Sequence, residues 1–324
     1  MKRNWVYGMM LFMIVWAICI TCKKDNGSLS AVKTLPPFSV SSTAATLGIN
    51  VESDGGTHIT ECGLYISNSQ DPEKSGQRFQ IGNDTGIFVG EVTGLLPSVQ
   101  YYIKAFAKNE KGESLGSEVN FLTPATVKDF DNNVYETVQI GSQLWMAQNL
   151  KATSYGNGDQ IGTTTPATAD ITGEISPKYQ WAYNGEEANT EIYGRLYTGY
   201  SVTDSRGVCP TGWHVPSDSE WTTLTDFLGG GDYVGDMLKE RGTTHWDSPN
   251  TDATNATLFS ALPGGARDDA TSTFADIGAG AYFWSSTNVD LTDAWYRHIS
   301  TSSVAVGRIG SGKGAGFSVR CVKD

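Results

Sequence analysis

The residues able to do chemistry are few and scattered. Four histidines stand at positions 58, 214, 245 and 298, and none has another histidine or a cysteine at the short spacing of a zinc site. His214 lies between Trp213 and Val215, and His298 follows Arg297; both read as packing or hydrogen-bonding groups rather than bases. Ser285 and Ser286 follow Trp284, but no glycine–x–serine–x–glycine elbow surrounds them, so a serine nucleophile lacks its turn and its base. Cys62 has only His58 nearby, on a turn, and reads as a small hydrophobe in a strand. The expectation is a chain with no catalytic residues and no metal centre.

Binding chemistry is better represented. Flat sugar faces stack on aromatic rings while amides and carboxylates take the hydroxyls. Trp181, Tyr183, Trp246, Asp247, Asn250 and Arg267 fall in the loop-rich C-terminal part and could supply both. Trp246, next to Asp247 and close to Asn250, is the first candidate among them. The opposing reading places Trp145, Trp213, Trp221, Trp284 and Trp295, and some of the others, in the core.

Composition narrows the classes. The 324 residues suffice for two domains, and 37 glycines point to many tight turns and a β-rich architecture. Nine tryptophans and 14 tyrosines supply buried area that aliphatics would otherwise provide. A net charge of −12 leaves no basic stripe for phosphates, so a nucleic-acid partner is not expected.

The N-terminus reads as an export signal. Lys2 and Arg3 precede an uncharged, largely apolar run from Trp5 to Thr21, then Cys22-Lys-Lys-Asp-Asn26. A cysteine at this position resembles a bacterial lipoprotein cleavage site. That resemblance implies a signal over 1–21, acylation of Cys22, a tether over 22–31 and an outer-membrane location facing the cell exterior. The same run is just long enough to be retained as a transmembrane anchor, and that alternative stays open. Either way the remainder is exported into an oxidising space. This favours a Cys209–Cys321 bridge, with Cys62 left single.

The elements that must carry these residues fall into two blocks. From 32 to 124 short alternating runs such as Ala44–Val51 and Thr60–Ile66 are separated by turn clusters, the pattern of a β-sandwich. Leu95-x-Pro97, followed by Tyr101, Ile103, Ala105, Ala107 and Asn109, resembles the corner and strand of a fibronectin type III domain, with Tyr101 as the corner tyrosine. Such modules act as spacers or interaction surfaces. Thr123–Val127 reads as a hinge. Beyond it, Ser217-Asp-Ser-Glu220 has capping-box form and opens a helix whose Trp221, Leu224, Phe227 and Leu228 would face a core. A second short helix is expected over Tyr233–Arg241, with Val234, Met237 and Leu238 inward.

From about 127 to 324 a string of motifs resembles the Fibrobacter succinogenes major paralogous domain. It comprises Leu144-Trp-Met-Ala-Gln-Asn-Leu150, Cys209-Pro-Thr-Gly-Trp-His214, Ala261-Leu-Pro-Gly-Gly-Ala-Arg267, Phe283-Trp-Ser-Ser-Thr287 and Gly316-Phe-Ser-Val-Arg-Cys321. Gln148 stands where an acidic residue is commoner. The resemblance implies an α+β, C-type-lectin-like fold following the all-β, fibronectin type III-like sandwich. It also brings calcium into view, since many lectin-like domains use it. The oxygen-rich loops are Trp246–Asn250 with Asp252 and Asn255, and Asp268, Asp269 and Asp276. Neither has a calcium-site pattern, and both read as solvated turns, so no cofactor is expected. The close cysteine pair of the formylglycine-generating enzymes, which share this fold, is absent. Together the features describe a lipid-anchored, non-enzymatic surface protein that recognises a glycan or a protein. The alternatives are a structural envelope or fimbria-associated subunit without a small ligand, and an enzyme, for which the sequence places no polar pocket with a perturbed base.

Overall fold

The computed structural model describes residues 27–324. The export signal and Cys22, with its acylation, lie outside the described residues. Among those described, no helix is long and apolar enough to cross a membrane.

The first module is built from period-two strands. They are β1 (Ala31–Thr34), β2 (Ser39–Ser41), β3 (Ala44–Ser53), β4 (Glu61–Ser67), β5 (Gln77–Gly82), β6 (Gly86–Thr93), β7 (Gln100–Asn109) and β8 (Gly112–Leu122), with a one-turn helix α1 (Pro72–Ser75) before β5. One sheet pairs β3 with β1, β2 and β6; the facing sheet has the order β5-β4-β7-β8. Leu47, Ile49 and Val51 from one sheet meet Leu64, Ile103, Ala105 and Ala107 from the other in a continuous core. Cys62 is buried there, and burial pushes its thiol pKa up, away from reactivity. The Leu96 amide donates to the Tyr101 hydroxyl at 3.1 Å, which makes the tyrosine corner expected of a fibronectin type III-like fold. The sandwich starts slightly before residue 32: the Ser28 amide donates to Gly55 O at 2.6 Å, and the Asn109 amide group to Ser28 O at 2.7 Å.

The expected hinge is not a free joint. The broken first strand of the sandwich ends in β2, whose outer edge pairs antiparallel with β11 (Thr137–Ile140) of the second module. One eight-stranded sheet therefore runs through both modules. The Ser42 amide donates to Thr137 O at 2.8 Å, and the Thr137 amide returns a bond to Ser42 Oγ at 3.0 Å. Ser39 and Thr46 both donate their hydroxyls to Ala256 O at 2.9 Å. Thr123, within the linking segment, is buried, and Thr137 Oγ1 donates to Ala125 O at 2.8 Å.

The second module contains β9 (Val127–Lys128), β10 (Val134–Tyr135), β11, β12 (Gln143–Met146), β13 (Gln180–Trp181), α2 (Ala188–Tyr193), β14 (Leu196–Thr198), α3 (Gly199–Val202), β15 (Trp213–His214), α4 (Asp218–Phe227), α5 (Gly235–Leu238), β16 (Gly264–Arg267), β17 (Phe274–Ile277), β18 (Gly280–Asn288), β19 (Asp293–Ser300), β20 (Gly307–Gly312), β21 (Gly316–Phe317) and β22 (Val322–Lys323). Its own sheet has the order β13-β14-β21-β16-β18-β19-β20. Both faces of the β18–β19 pair are covered. Phe283 and Ile299 point into one hydrophobic core, Trp284 and Ala294 into the other. Cys209 and Cys321 form the disulfide, with Cα atoms 6.0 Å apart across a separation of 112 residues.

Helix α4 starts as its sequence dictates. Ser217 Oγ accepts from the Glu220 amide at 3.2 Å and Glu220 Oε2 accepts from the Ser217 amide at 2.7 Å. Trp221 and Leu224 are fully buried, but Phe227 is 55% exposed. Phe227 lies instead over the turn at Gly141, where a β-carbon would sit 2.9 Å from its ring. Helix α5 is shorter than expected, with Val234 and Leu238 buried.

Candidate functional site

The residues expected to form a sugar platform are brought together in two groups, and neither is a surface. Trp246 is 1% exposed; its indole donates to Ala261 O at 2.9 Å and its ring belongs to the core under α4 and α5. Asn250 is buried beside it, and its amide group donates to Glu240 O at 2.9 Å and Gly242 O at 2.6 Å. Asp247 is exposed, but its backbone is tied to Gly278 and Thr301. Trp181 and Arg267 make the second group. The guanidinium lies 4.2 Å above the buried indole, which donates to Thr164 Oγ1 at 2.9 Å. Gly316 pairs with Arg267 across β16–β21, and a β-carbon there would meet Arg267 Cβ at 2.9 Å and Trp181 Cζ3 at 3.3 Å. These side chains are buried because each fills a loop that has no regular structure to support it. Arg267 donates to Ala167 O at 3.1 Å and Ala169 O at 2.7 Å, fixing the loop that follows. Tyr183 is likewise buried.

In the oxygen-rich loops two of the candidate oxygen donors are engaged within the chain. Asn255 spends its amide on Ser260. Asp268 caps its own turn through the Thr271 and Ala270 amides, and these hydrogen bonds hold its pKa below the usual carboxylate range. Among the described residues, three carboxylates converge only at Asp71, Glu73 and Glu118. Asp71 and Glu73 are paired there with Lys74 and Lys104, while Glu118 accepts from the Asp71 amide.

A different set of aromatics reaches the surface in part. Tyr282 and Trp284 on β18, with Tyr296 and His298 on β19, share one face through the pairings Tyr282↔His298 and Trp284↔Tyr296. Phe317 of β21 packs against them: its ring centroid lies 5.4 Å from that of Tyr282, 4.6 Å from Tyr296 and 4.5 Å from Trp284. Trp284 is fully buried and donates to Tyr197 O at 2.7 Å, so it forms the base of the cluster. Tyr282 and Tyr296 keep part of their rings in solvent and floor a cavity of about 240 Å³ rimmed by Asp268, Asp269 and Asp276. The Tyr282 hydroxyl donates to Asp276 Oδ2 at 2.6 Å; burial, with Asp276 beside it, pushes the phenol pKa up. His298 stacks on Tyr282 at 4.6 Å, and burial lowers its pKa, so it is neutral near pH 7.

Asp269 also lines a second cavity of about 380 Å³, bounded by Thr172, Glu174, Tyr200, Asp293 and Lys313. Ile171 and Pro177, on the same 170s loop as Thr172 and Glu174, line it as well. A third cavity of about 300 Å³, at the module junction, is lined by Glu91, Glu136 and Glu240 and has no aromatic ring. The period-two aromatic alternation of Tyr282/Trp284 and Tyr296/His298 is the sequence signal that marks the floor.

The serine pair is structural in this setting. Ser285 is buried and its Oγ accepts from the Thr287 amide at 3.0 Å, while the Ser286 amide donates to Pro216 O at 2.9 Å.

No curated protein matches the chain. Among solved structures, the sensor domain of the anti-sigma factor RsgI4 of Pseudobacteroides cellulosolvens is 18% identical, with 30% of this chain and 97% of that one covered and a TM-score of 0.26. A fibronectin type III domain derived from the human KIAA0970 protein is 15% identical, with 32% and 79% covered and a TM-score of 0.24. Residues 138–323, more than half of the chain and the span that holds both cavities' strands, match the Fibrobacter succinogenes major domain; the protein belongs to that family.

Proposed function

We propose that this protein is a non-enzymatic recognition protein of the bacterial surface that binds a glycan in the trough floored by Tyr282 and Tyr296. The observation that carries the reading is the pairing of two partly exposed aromatic rings with a rim of carboxylates. Sugar rings present a flat apolar face and a polar edge, which matches such a floor and rim. Binding uses no metal, since the rim carboxylates accept hydroxyls directly. We place the anchor at an acylated Cys22 in the outer membrane, with the sandwich as spacer. We read the second module as C-type-lectin-like, supported by its long-range disulfide and by antiparallel strands that close the chain after an earlier helix.

The test is a glycan and polysaccharide binding screen of the full-length protein in detergent, with and without calcium. Saturable, calcium-independent binding to one glycan class supports the reading; a flat screen removes it. A structural envelope role is the second reading, favoured by the sheet that continues through both modules. Co-purification of a stable envelope partner with an otherwise flat screen would support it.

A further inference from the structure

The charged side chains of the trough are nearly all carboxylates. Its two cavities carry the carboxylates Glu174, Asp268, Asp269, Asp276 and Asp293 against one ammonium, that of Lys313. Lys313 is itself buried and donates to Leu291 O at 3.0 Å. Glu174 accepts from Tyr179, Asp276 from Tyr282, and Asp268 from its own turn. Among the described residues, nothing donates to the carboxylates of Asp269 or Asp293.

Those two free carboxylates approach the same point. A β-carbon on Gly312 would lie 2.2 Å from Asp269 Oδ2 and 3.9 Å from Asp293 Oδ1. Gly312 thus leaves the space in which Asp269 stands, on the wall between the cavities. A neutral sugar hydroxyl both donates and accepts, and sites for it mix carboxylates with amides or guanidinium groups. An ammonium only donates, through three hydrogens. A cavity whose charged lining is almost wholly carboxylate, beside the partly exposed ring of Tyr296, is complementary to that group, because aromatic rings also attract cations. The acidic balance of the whole chain, −12, adds attraction at long range.

We propose that the trough selects an amino-sugar oligosaccharide, one or more of whose residues carries a free protonated amine, lying across Asp269 with one ring on Tyr282 and Tyr296. The inference rests on the glycan-binding reading above and names the ligand class of the same site. The second cavity, on the far side of Asp269, gives the chain a further subsite beside Tyr200.

The experiment is calorimetric titration of the full-length protein with three β-1,4 tetramers: glucosamine, N-acetylglucosamine and glucose. Wild type is compared with Asp269→Asn, which keeps shape and removes charge. The expected result is glucosamine tetramer binding at least ~10-fold tighter than both others, the gain of a charge-assisted hydrogen bond over a neutral one. The preference should weaken with added salt and largely vanish in Asp269→Asn, whose melting temperature stays at that of wild type. Glucose or N-acetylglucosamine tetramer binding as tightly as glucosamine overturns this inference and leaves glycan binding standing. Oligolysine binding as tightly as the amino sugar overturns it also, since charge alone would then suffice. An undiminished preference in Asp269→Asn overturns the placement. If no tetramer binds and the wider screen is flat, the glycan-binding reading falls with it.

Discussion

Arg320 donates its Nε and one Nη to a single oxygen, Oδ1 of Asn149, at 3.1 and 2.8 Å, in the interior of the second module. The guanidinium also donates to Met146 O, Phe259 O and Ser260 O and lies 4.4 Å from the Phe259 ring. Among the described residues, no carboxylate accepts from it. Burial pushes its pKa down to about 9, so the side chain stays charged at neutral pH. The motifs opening at Leu144 and closing at Cys321 thus meet at one cation, together with the Phe259–Ser260 segment just before Ala261. In this chain those motifs fasten the core of the second module.

Replacing Arg320 by Ala should therefore cost at least ~3 kcal/mol, because a cavity opens and several buried acceptors lose their donor. Urea denaturation at constant m-value measures it. Arg320→Lys should recover little, since one ammonium cannot reproduce the two-pronged bond to Asn149.

Trp246→Ala should lower stability by ~3–5 kcal/mol, the range for emptying a tryptophan-sized core site. Any loss of ligand binding should appear only where the protein unfolds. Thermal melts run beside binding assays distinguish this from a direct role.

The disulfide predicts a second stability loss. Closing a loop of 112 residues restricts the unfolded chain by about 4–5 kcal/mol in the chain-entropy model. Cys209→Ser with Cys321→Ser should lower the denaturation free energy by that order while far-ultraviolet circular dichroism stays native under mild conditions.

His214 gives a pH signature. Its ring sits 2.6 Å from Asp324 and 2.8 Å from Glu220; partial burial opposes protonation, but the two carboxylates outweigh it and raise the pKa. A raised folded-state value means that its stabilisation is complete below the ordinary histidine range. It is lost as pH rises through the folded-state value. The melting-temperature difference between wild type and His214→Gln should be largest at acid pH and shrink toward pH 8. A difference that grows with pH would contradict the geometry.

The continuous sheet predicts joint unfolding. Calorimetry of the full-length protein should show one main transition, not two separated ones, because opening β11 exposes the edge of β2 and the buried Ser42–Thr137 bonds.

Much of the architecture was legible locally. The tyrosine corner, the capping box at Ser217 and the Cys209–Cys321 pair are each set by a few neighbouring residues or by the scarcity of alternatives. The joint between modules was not, because β2 is only three residues long and its partner lies almost a hundred residues away. The burial of the candidate rings was not legible for a related reason. An indole next to Asp and Asn looks exposed in sequence, yet in an irregular segment the large rings themselves supply the interior. Trp246 does so here, and Trp181 with Arg267, on the short strands β13 and β16, fill the space beneath neighbouring loops, while half-buried tyrosines on the longer strands β18 and β19 remain to face solvent.

The most direct measurement is the affinity of Tyr296→Ala, set against wild type, for the glycan that the screen selects. The account predicts a loss of at least ~10-fold, the effect of removing a central aromatic contact, with the fold retained by circular dichroism. Unchanged affinity in a folded Tyr296→Ala protein would contradict it and place the binding site elsewhere.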